Sequence, residues 1–173
     1  MKSFNIGIVT TGSEVYYHRI KDKFGPILRG KMEGYQCTVA GQTFVPDNKE
    51  MIEQAIKEWL DKGADMVFCT GGMSVDPDDL TPSAIRDTGC EIITYGTPVL
   101  PGAMFLLSYY TDGRPVLGLP GCVMYAKNTI FDLLLPRIMT DDEILASEIT
   151  VLGEGGLCLN CDVCTFPNCG FGK

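Results

Sequence analysis

The chain is poor in histidine: His18 is the only one among its 173 residues. A catalytic triad of serine, histidine and aspartate would therefore have His18 as its single candidate base. His18 falls in an amphipathic stretch, where a surface or packing role is the simpler interpretation. The enzymatic chemistry that this composition favours is that of carboxylates, metal ions and phosphates.

Long apolar runs and blocks of positive charge are also missing. No apolar run reaches the roughly 18 residues of a membrane span, and residues 1–10 are typical of a first strand rather than a signal peptide. We therefore expect a cytoplasmic protein without membrane contact. The net charge is −8, with 14 Lys and Arg against 22 Asp and Glu, which argues against nucleic acid as a partner. An anionic small molecule is compatible with this charge, because backbone amides and a divalent cation can hold phosphate on an acidic protein.

Short apolar runs alternate with segments of helical period. This alternation predicts an open, mostly parallel α/β sheet. Strands are predicted over 4–10, 37–45, 66–69 and 91–95, and a hairpin of 103–110 and 115–119 would add an antiparallel edge. Helices are predicted over 15–34 and 122–138. Two further helices are predicted, one from a cap at 46–48 to Gly63 and one from a Thr81 cap to Gly89.

Three loops follow predicted parallel strands. Ligands of such sheets bind outside the carboxyl ends of the strands, and glycines there allow backbone amides to approach a phosphate. Each loop could also use its glycine for purely steric reasons. The candidate ligand-binding loops are Thr10, Thr11, Gly12, Ser13 and Glu14; Thr70, Gly71 and Gly72; and Leu119, Pro120 and Gly121.

Carboxylates follow the second and the third predicted strands. Asp76, Asp78 and Asp79 come after the Thr70 loop, and Asp47 comes after the second strand. Mg²⁺ prefers one or two carboxylates together with phosphate oxygens and water, so the aspartates after the Thr70 loop are a candidate magnesium site, with Asp47 as a candidate second carboxylate. The alternatives are a solvated turn for the first group, and a helix cap for Asp47 or Asn48.

The eight cysteines fall into two groups. Four are scattered beside apolar or small residues and are predicted to be small core residues. The other four, Cys158, Cys161, Cys164 and Cys169, lie in a tail predicted as a separate segment, 153–173, after a domain of 1–152. Their spacing suggests Zn²⁺ or an iron–sulfur cluster, although its fourth cysteine is one residue late for a ferredoxin-type run. A reduced tail, redox disulfides or another soft metal are the alternatives.

Four stretches together resemble a known family. "TTGSEV", "VPDNKEMIEQAI", "TGGMSVDPDDLTPSAI" and "LPGCVMYAKNTIF" are similar to the molybdopterin-binding domain of the molybdenum cofactor biosynthesis proteins MogA and MoeA. The resemblance implies a three-layer α/β/α fold, cofactor contacts from Thr70, Gly71 and Gly72, and roles for Asp47 and Asp79 in Mg²⁺ binding and in catalysis. Ser74–Val75 resembles the MoeA form of the motif, whereas Asp79–Pro82 resembles the MogA form.

These relatives imply different activities. The MogA type adenylylates molybdopterin with Mg-ATP, and the MoeA type inserts molybdate into the product. The "DDLT" stretch also resembles CinA-type domains, which hydrolyse nucleotide pyrophosphates such as ADP-ribose. A third hypothesis is a non-enzymatic cofactor chaperone whose tail delivers metal. The resemblance further implies a dimer or trimer and, as a partner, a molybdenum enzyme or another cofactor-biosynthesis protein.

Overall fold

A six-stranded sheet forms the centre of the chain, in the order β2-β1-β3-β6-β5-β4. The computed structural model describes residues 3–74, 76 and 78–173. The strands are Asn5–Thr11 (β1), Thr38–Val45 (β2), Met66–Thr70 (β3), Glu91–Tyr95 (β4), Leu106–Tyr109 (β5) and Pro115–Leu119 (β6). Neighbouring strands are parallel except in the two pairs that β5 makes. The predicted mostly parallel sheet with an antiparallel hairpin is confirmed.

Helices cover both faces of this sheet, and alternate residues of each strand feed two separate cores. Ile8 and Phe68 belong to one core, with α2 and α5, whereas Val9 and Cys69 belong to the other, with α3 and α4. This alternation follows from the two-residue period of a strand and gives the predicted three layers. The helices are Ser13–Tyr16 (α1), Phe24–Gly34 (α2), Lys49–Asp61 (α3), Thr81–Asp87 (α4), Ile130–Ile138 (α5) and Ala146–Val151 (α6), with 3₁₀ turns at Gly121–Met124 and Leu152–Gly155.

Trp59 on α3 packs against a pair of glycines. Gly7 of β1 and Gly41 of β2 are opposite each other in the register of the sheet. A Cβ atom on Gly7 would lie 2.5 Å from Trp59 Cγ, and one on Gly41 would lie 2.6 Å from Trp59 Cη2. The indole N–H donates to Thr43 Oγ1 at 3.1 Å. The two glycines therefore make room for the ring, which brings α3 close to the sheet.

Two predicted helical stretches are wrong in their continuity. The stretch 15–34 is divided into α1 and α2, and Tyr17 between them is exposed. The stretch 122–138 contains a 3₁₀ turn, a break and then α5. The break ends where Thr129 Oγ1 accepts the amide of Phe131 at 3.2 Å and Asp132 Oδ2 accepts the amide of Thr129 at 2.7 Å. This capping box starts a new helix at Ile130.

The tail lies against the domain at both of its ends. Leu157 forms a single parallel bridge with Leu100, and the amide of Cys158 donates to Leu100 O at 2.8 Å. At the other end, Phe171 is 4% exposed and belongs to the core that contains α5. Among the helices in the described ranges, none combines the length and apolar character needed to cross a membrane.

Replacing Gly7 by alanine should destabilise the fold. The new Cβ would overlap the Trp59 ring, which is anchored by its own hydrogen bond, so we expect a loss of about 1–3 kcal/mol in the free energy of unfolding. Gly30→Ala is the matched control: Gly30 is exposed on α2 with open space around it, and alanine there should stabilise by up to about 1 kcal/mol. Denaturant unfolding of both variants tests this, and equal stabilities would contradict the packing role.

Candidate functional site

The predicted ligand-binding loops meet at one edge of the sheet. Strands β2, β1, β3 and β6 are parallel neighbours, so their carboxyl ends lie side by side. From β1 the chain moves to β2 on one side, and from β3 it moves to β4 on the far side. The ends of β1 and β3 are therefore the topological switch point of the sheet, and α/β sheets of this kind bind ligands in the crevice outside such a point.

Buried hydroxyl groups hold the ends of β1 and β3 together. Thr70 Oγ1 donates to Thr10 Oγ1 at 2.9 Å, and Gln42 Nε2 donates to the same oxygen at 2.8 Å. Thr10 is 2% exposed and Thr70 is fully buried. The hydroxyls of Thr10 and Thr70 are therefore bonded inside the fold. These two residues contribute to the crevice by positioning the backbone that follows them.

A second pair of hydroxyls joins the two loops themselves. Thr81 Oγ1 donates to Gly71 O at 2.9 Å and lies 3.2 Å from Thr11 Oγ1. Because the single hydroxyl proton of Thr81 is directed to Gly71, Thr11 is the donor in the second bond. The prediction that Thr81 caps α4 is wrong: the cap residue is Leu80, without a side-chain bond. Thr81 instead holds the Gly71 loop, a role that its sequence position alone did not reveal.

Gly71 and Gly72 form a turn that other residues could hardly adopt. Their φ angles are +82° and +53°. A Cβ on Gly71 would overlap the carbonyl oxygen of Thr11, so the backbones of the two loops are in direct contact. Within the part of the chain that the structure describes, the amides of Gly71 and Gly72 have no hydrogen-bond acceptor. Two adjacent amides of this kind suit an anion such as a phosphate.

Asp47 ties the β2 loop to the β1 loop. Its Oδ2 atom accepts the amide of Ser13 at 2.9 Å, at the start of α1. The neighbouring Asn48 accepts the amide of Met51 at 2.9 Å and so is the cap of α3. Of the two predicted capping residues, Asn48 therefore caps the following helix, and Asp47 is turned toward the site edge. Gly12 donates to Val45 O at 3.1 Å, which closes the same junction, and Glu14 is exposed.

Asp79 organises the segment after the glycine turn. Its Oδ2 atom accepts the amide of Ser74 at 2.5 Å and the hydroxyl of Ser74 at 2.7 Å. The phenol of Tyr95 donates to Ser74 O at 2.9 Å. Burial, and after it the charge of Asp79, raises the pKa of Tyr95, which keeps the phenol a donor. Tyr95 was missed by sequence reasoning because it is distant in the chain; Val75, the partner of Ser74 in the motif, lies outside the described residues.

The carboxylates of Asp47 and Asp79 each retain an oxygen for a cation. Oδ1 of either residue accepts no hydrogen bond among residues 3–74, 76 and 78–173. A Cβ placed on Gly72 would lie 3.7 Å from Asp79 Oδ1, so this oxygen is close to the glycine turn. One or two such oxygens with phosphate and water suit Mg²⁺. The described ranges contain no group of three or more His, Cys, Asp or Glu side chains arranged as metal ligands.

The third loop borders the same edge through its strand. Leu119 of β6 pairs with Thr70 of β3, which places Pro120 and Gly121 beside the glycine turn. Pro120 is buried and Gly121 is exposed at the start of the 3₁₀ turn. The exposed position of Gly121 leaves its backbone accessible at the side of the crevice that faces β6.

The four tail cysteines lie elsewhere, around a cavity of about 770 Å³ between the tail and the domain. Its other walls come from the segment after β4 and the segment after the 3₁₀ turn, including Leu100, Pro101 and Tyr125. All four residues are free thiols, and no three of them are at present arranged around a common point for a metal. The tail thus contributes none of the contacts that shape the crevice between β1 and β3.

Known proteins resemble this chain in sequence and in fold. Molybdopterin molybdenumtransferase of Synechococcus elongatus is 24% identical over 143 residues, which are 78% of this chain and 36% of that protein. A CinA-like protein of Mycobacterium avium is 30% identical over 92 residues, 53% of this chain and 21% of that protein. The chain thus spans about a third or less of the length of these curated relatives.

Solved structures show the same architecture, and a family assignment follows from the sequence. The molybdopterin biosynthesis enzyme MoaB of Thermus thermophilus superposes with a TM-score of 0.65 at 22% identity, covering 85% of this chain and 96% of that one. Residues 7–140 match the family described as "Probable molybdopterin binding domain". This match includes β1, the glycine turn, Asp47, Asp79 and the Pro120 loop. The chain belongs to this molybdopterin-binding domain family of molybdenum cofactor biosynthesis.

Proposed function

We propose that the crevice between β1 and β3 binds the phosphate of molybdopterin on the amides of Gly71 and Gly72. The observation that carries this proposal is the pair of adjacent amides without an acceptor among the described residues, held in place by the Thr11–Thr81–Gly71 bonds. The net charge of −8 does not prevent phosphate binding at this turn. Backbone N–H groups carry partial positive charge and can bind phosphate without a basic side chain.

The reaction that this site supports best is adenylyl transfer from Mg-ATP to the pterin phosphate. A phosphate oxygen of the pterin forms a bond to the α-phosphorus, the bond between the α-phosphorus and the bridging oxygen breaks, and pyrophosphate leaves. Asp79 and Asp47 would hold Mg²⁺, which neutralises charge on the transferring phosphates when bound. The protein's part is to orient the two phosphates: Gly71 and Gly72 on one side, and the Thr11–Ser13 loop on the other.

Molybdate insertion is the alternative within the same pathway. It is supported by the similarity to a molybdopterin molybdenumtransferase over 143 residues and by Ser74, which resembles the MoeA form of the motif. Asp76 follows two residues after Ser74 and adds a negative charge to this loop. An insertase must admit anionic molybdate there, so this charge favours adenylyl transfer with its cationic Mg²⁺.

Hydrolysis of a nucleotide pyrophosphate is the second candidate function. The CinA-like relatives support it, because a 92-residue match at 30% identity includes more than half of this chain. The same amides and carboxylates could hold ADP-ribose with Mg²⁺, and water would then attack in place of the pterin phosphate. A carrier that binds the pterin without turnover is the non-enzymatic possibility.

One set of incubations distinguishes these functions. Full-length protein, purified without oxygen, is mixed in parallel with molybdopterin plus Mg-ATP, and with ADP-ribose plus Mg²⁺. We expect adenylylated pterin and pyrophosphate from the first mixture and no AMP from the second. AMP and ribose phosphate from the second mixture would establish the pyrophosphatase. Pterin retained without any product would contradict adenylyl transfer, and a third mixture of adenylylated pterin with molybdate would then separate insertion, which releases AMP, from carriage, which gives no product.

Asp79→Asn should abolish turnover while the protein stays folded. Asparagine has the size of aspartate but lacks its charge, so Mg²⁺ and the Ser74 loop are both less well held, and kcat/KM should fall on the order of 100-fold or more. Asp78→Asn is the matched control, because Asp78 is exposed and adjacent. Initial rates of product formation test both. Equal rates for Asp79→Asn and the parent chain would remove Asp79 from the site.

Gly71→Ala should weaken pterin binding by roughly 10-fold or more, since a phosphate loses a charge-assisted hydrogen bond when the amide is displaced. Gly113→Ala is the control: Gly113 has a similar φ of +86° in the β5–β6 hairpin with open space around it. Both changes carry the backbone strain of about 1–2 kcal/mol. Anoxic titration calorimetry compares their affinities, and a loss in both variants alike would point to general destabilisation instead of a phosphate contact.

A further inference from the structure

The tail has little of its own to keep it folded. Residues 158–173 contain no helix or strand. The segment is held at one end by the Leu100–Leu157 bridge and at the other by Phe171, whose ring lies 6.3 Å from that of Phe166. Between these anchors Leu159 is 76% exposed and Val163 is 79% exposed. A segment this short with one fully buried side chain commonly depends on a crosslink or a metal.

All four tail cysteines line one cavity. Cys158 and Cys169 are half-buried and pack against the core that contains α5, so the domain fixes their positions. Cys161 and Cys164 are exposed on the loop between them, and all four line the same cavity of about 770 Å³. The spacing of two, two and four intervening residues allows the loop to fold back over the fixed pair.

We propose that Cys158, Cys161, Cys164 and Cys169 bind a single Zn²⁺ that clamps the tail onto the domain. Cys161 and Cys164 turn inward toward Cys158 and Cys169, four Zn–S bonds form in a tetrahedron, and the four thiol protons pass to solvent. The turn is feasible because the moving residues belong to neither a helix nor a strand. No oxidant, reductant or sulfide is required, in contrast to an iron–sulfur cluster.

One residue of the domain, Asn128, contacts a proposed zinc ligand directly. Asn128 Nδ2 donates to Cys164 Sγ at 3.3 Å, from the segment between the 3₁₀ turn and α5. An N–H group directed at a sulfur stabilises its thiolate form and orients it as a ligand. This contact also connects the tail with the chain that follows Gly121. Zinc would therefore stabilise the tail and this wall of the domain together.

Metal content and thiol reactivity of the full-length protein test the clamp. After dialysis against a chelator under reducing conditions, Zn²⁺ alone is added back. We expect one tightly bound Zn²⁺ per chain, with a dissociation constant of about nanomolar or lower, and a higher Tm. Zn²⁺ should also protect the four tail cysteines from a thiol reagent, as mass spectrometry of labelled peptides would show. Co²⁺ in the same site should give thiolate-to-cobalt charge-transfer absorption.

Cys161→Ser tests the loop thiols, and Cys37→Ser is the control outside the tail. Cys37 is buried in the core that contains α5, away from the tail cysteines, and its thiol donates to Tyr35 O at 3.5 Å; a serine hydroxyl can donate to the same oxygen. We expect roughly 10-fold or more weaker Zn²⁺ binding in Cys161→Ser and unchanged binding in Cys37→Ser. Tail thiols that stay reactive in the unaltered chain at saturating Zn²⁺ would overturn the proposal, as would an iron–sulfur chromophore in anoxically purified protein. The catalytic proposal involves no tail residue, so the two can fail separately.

Discussion

The close contact between the Gly71 backbone and Thr11 O is the constraint on which the site depends. Only a residue without a side chain allows this approach, and the hydroxyls of Thr11 and Thr81 help to hold the two loops in place. Strand order then places the remaining loops around this contact, because β2 and β6 lie beside β1 and β3. The geometry of the proposed phosphate site is therefore set by packing within the fold.

The carboxylates near that contact stabilise the loops through hydrogen bonds. Each of Asp47 and Asp79 uses one carboxylate oxygen to fix a loop, and its other oxygen accepts no hydrogen bond from the described residues. Hydrogen bonds also hold the described aspartates of the acidic segment, because Asp76 and Asp79 accept backbone and hydroxyl hydrogens. Tyr95 completes the arrangement by holding Ser74 O from β4.

The fold and the loops can be predicted from the sequence, but the hydrogen bonds that connect the loops cannot. Strand runs such as 66–69 and the glycines after them were recognisable because period and turn chemistry are local properties. The hydroxyl chain was not, because Thr11 and Thr81 are 70 residues apart. The local signal at Thr81–Pro82 correctly predicts where α4 begins, but it does not show that the Thr81 hydroxyl donates to Gly71 O instead of capping the helix. The division of 122–138 was missed because Thr129 and Asp132 lie inside an apolar period that continues through them.

A crystal structure of the full-length chain with molybdopterin, grown without oxygen, is the most direct test of the central claim. We expect the pterin phosphate about 2.7–3.2 Å from the amide nitrogens of Gly71 and Gly72, with Asp79 facing a cation beside it. A pterin bound with its phosphate away from these amides, for example in the cavity beside the tail, would contradict the assignment of the crevice between β1 and β3.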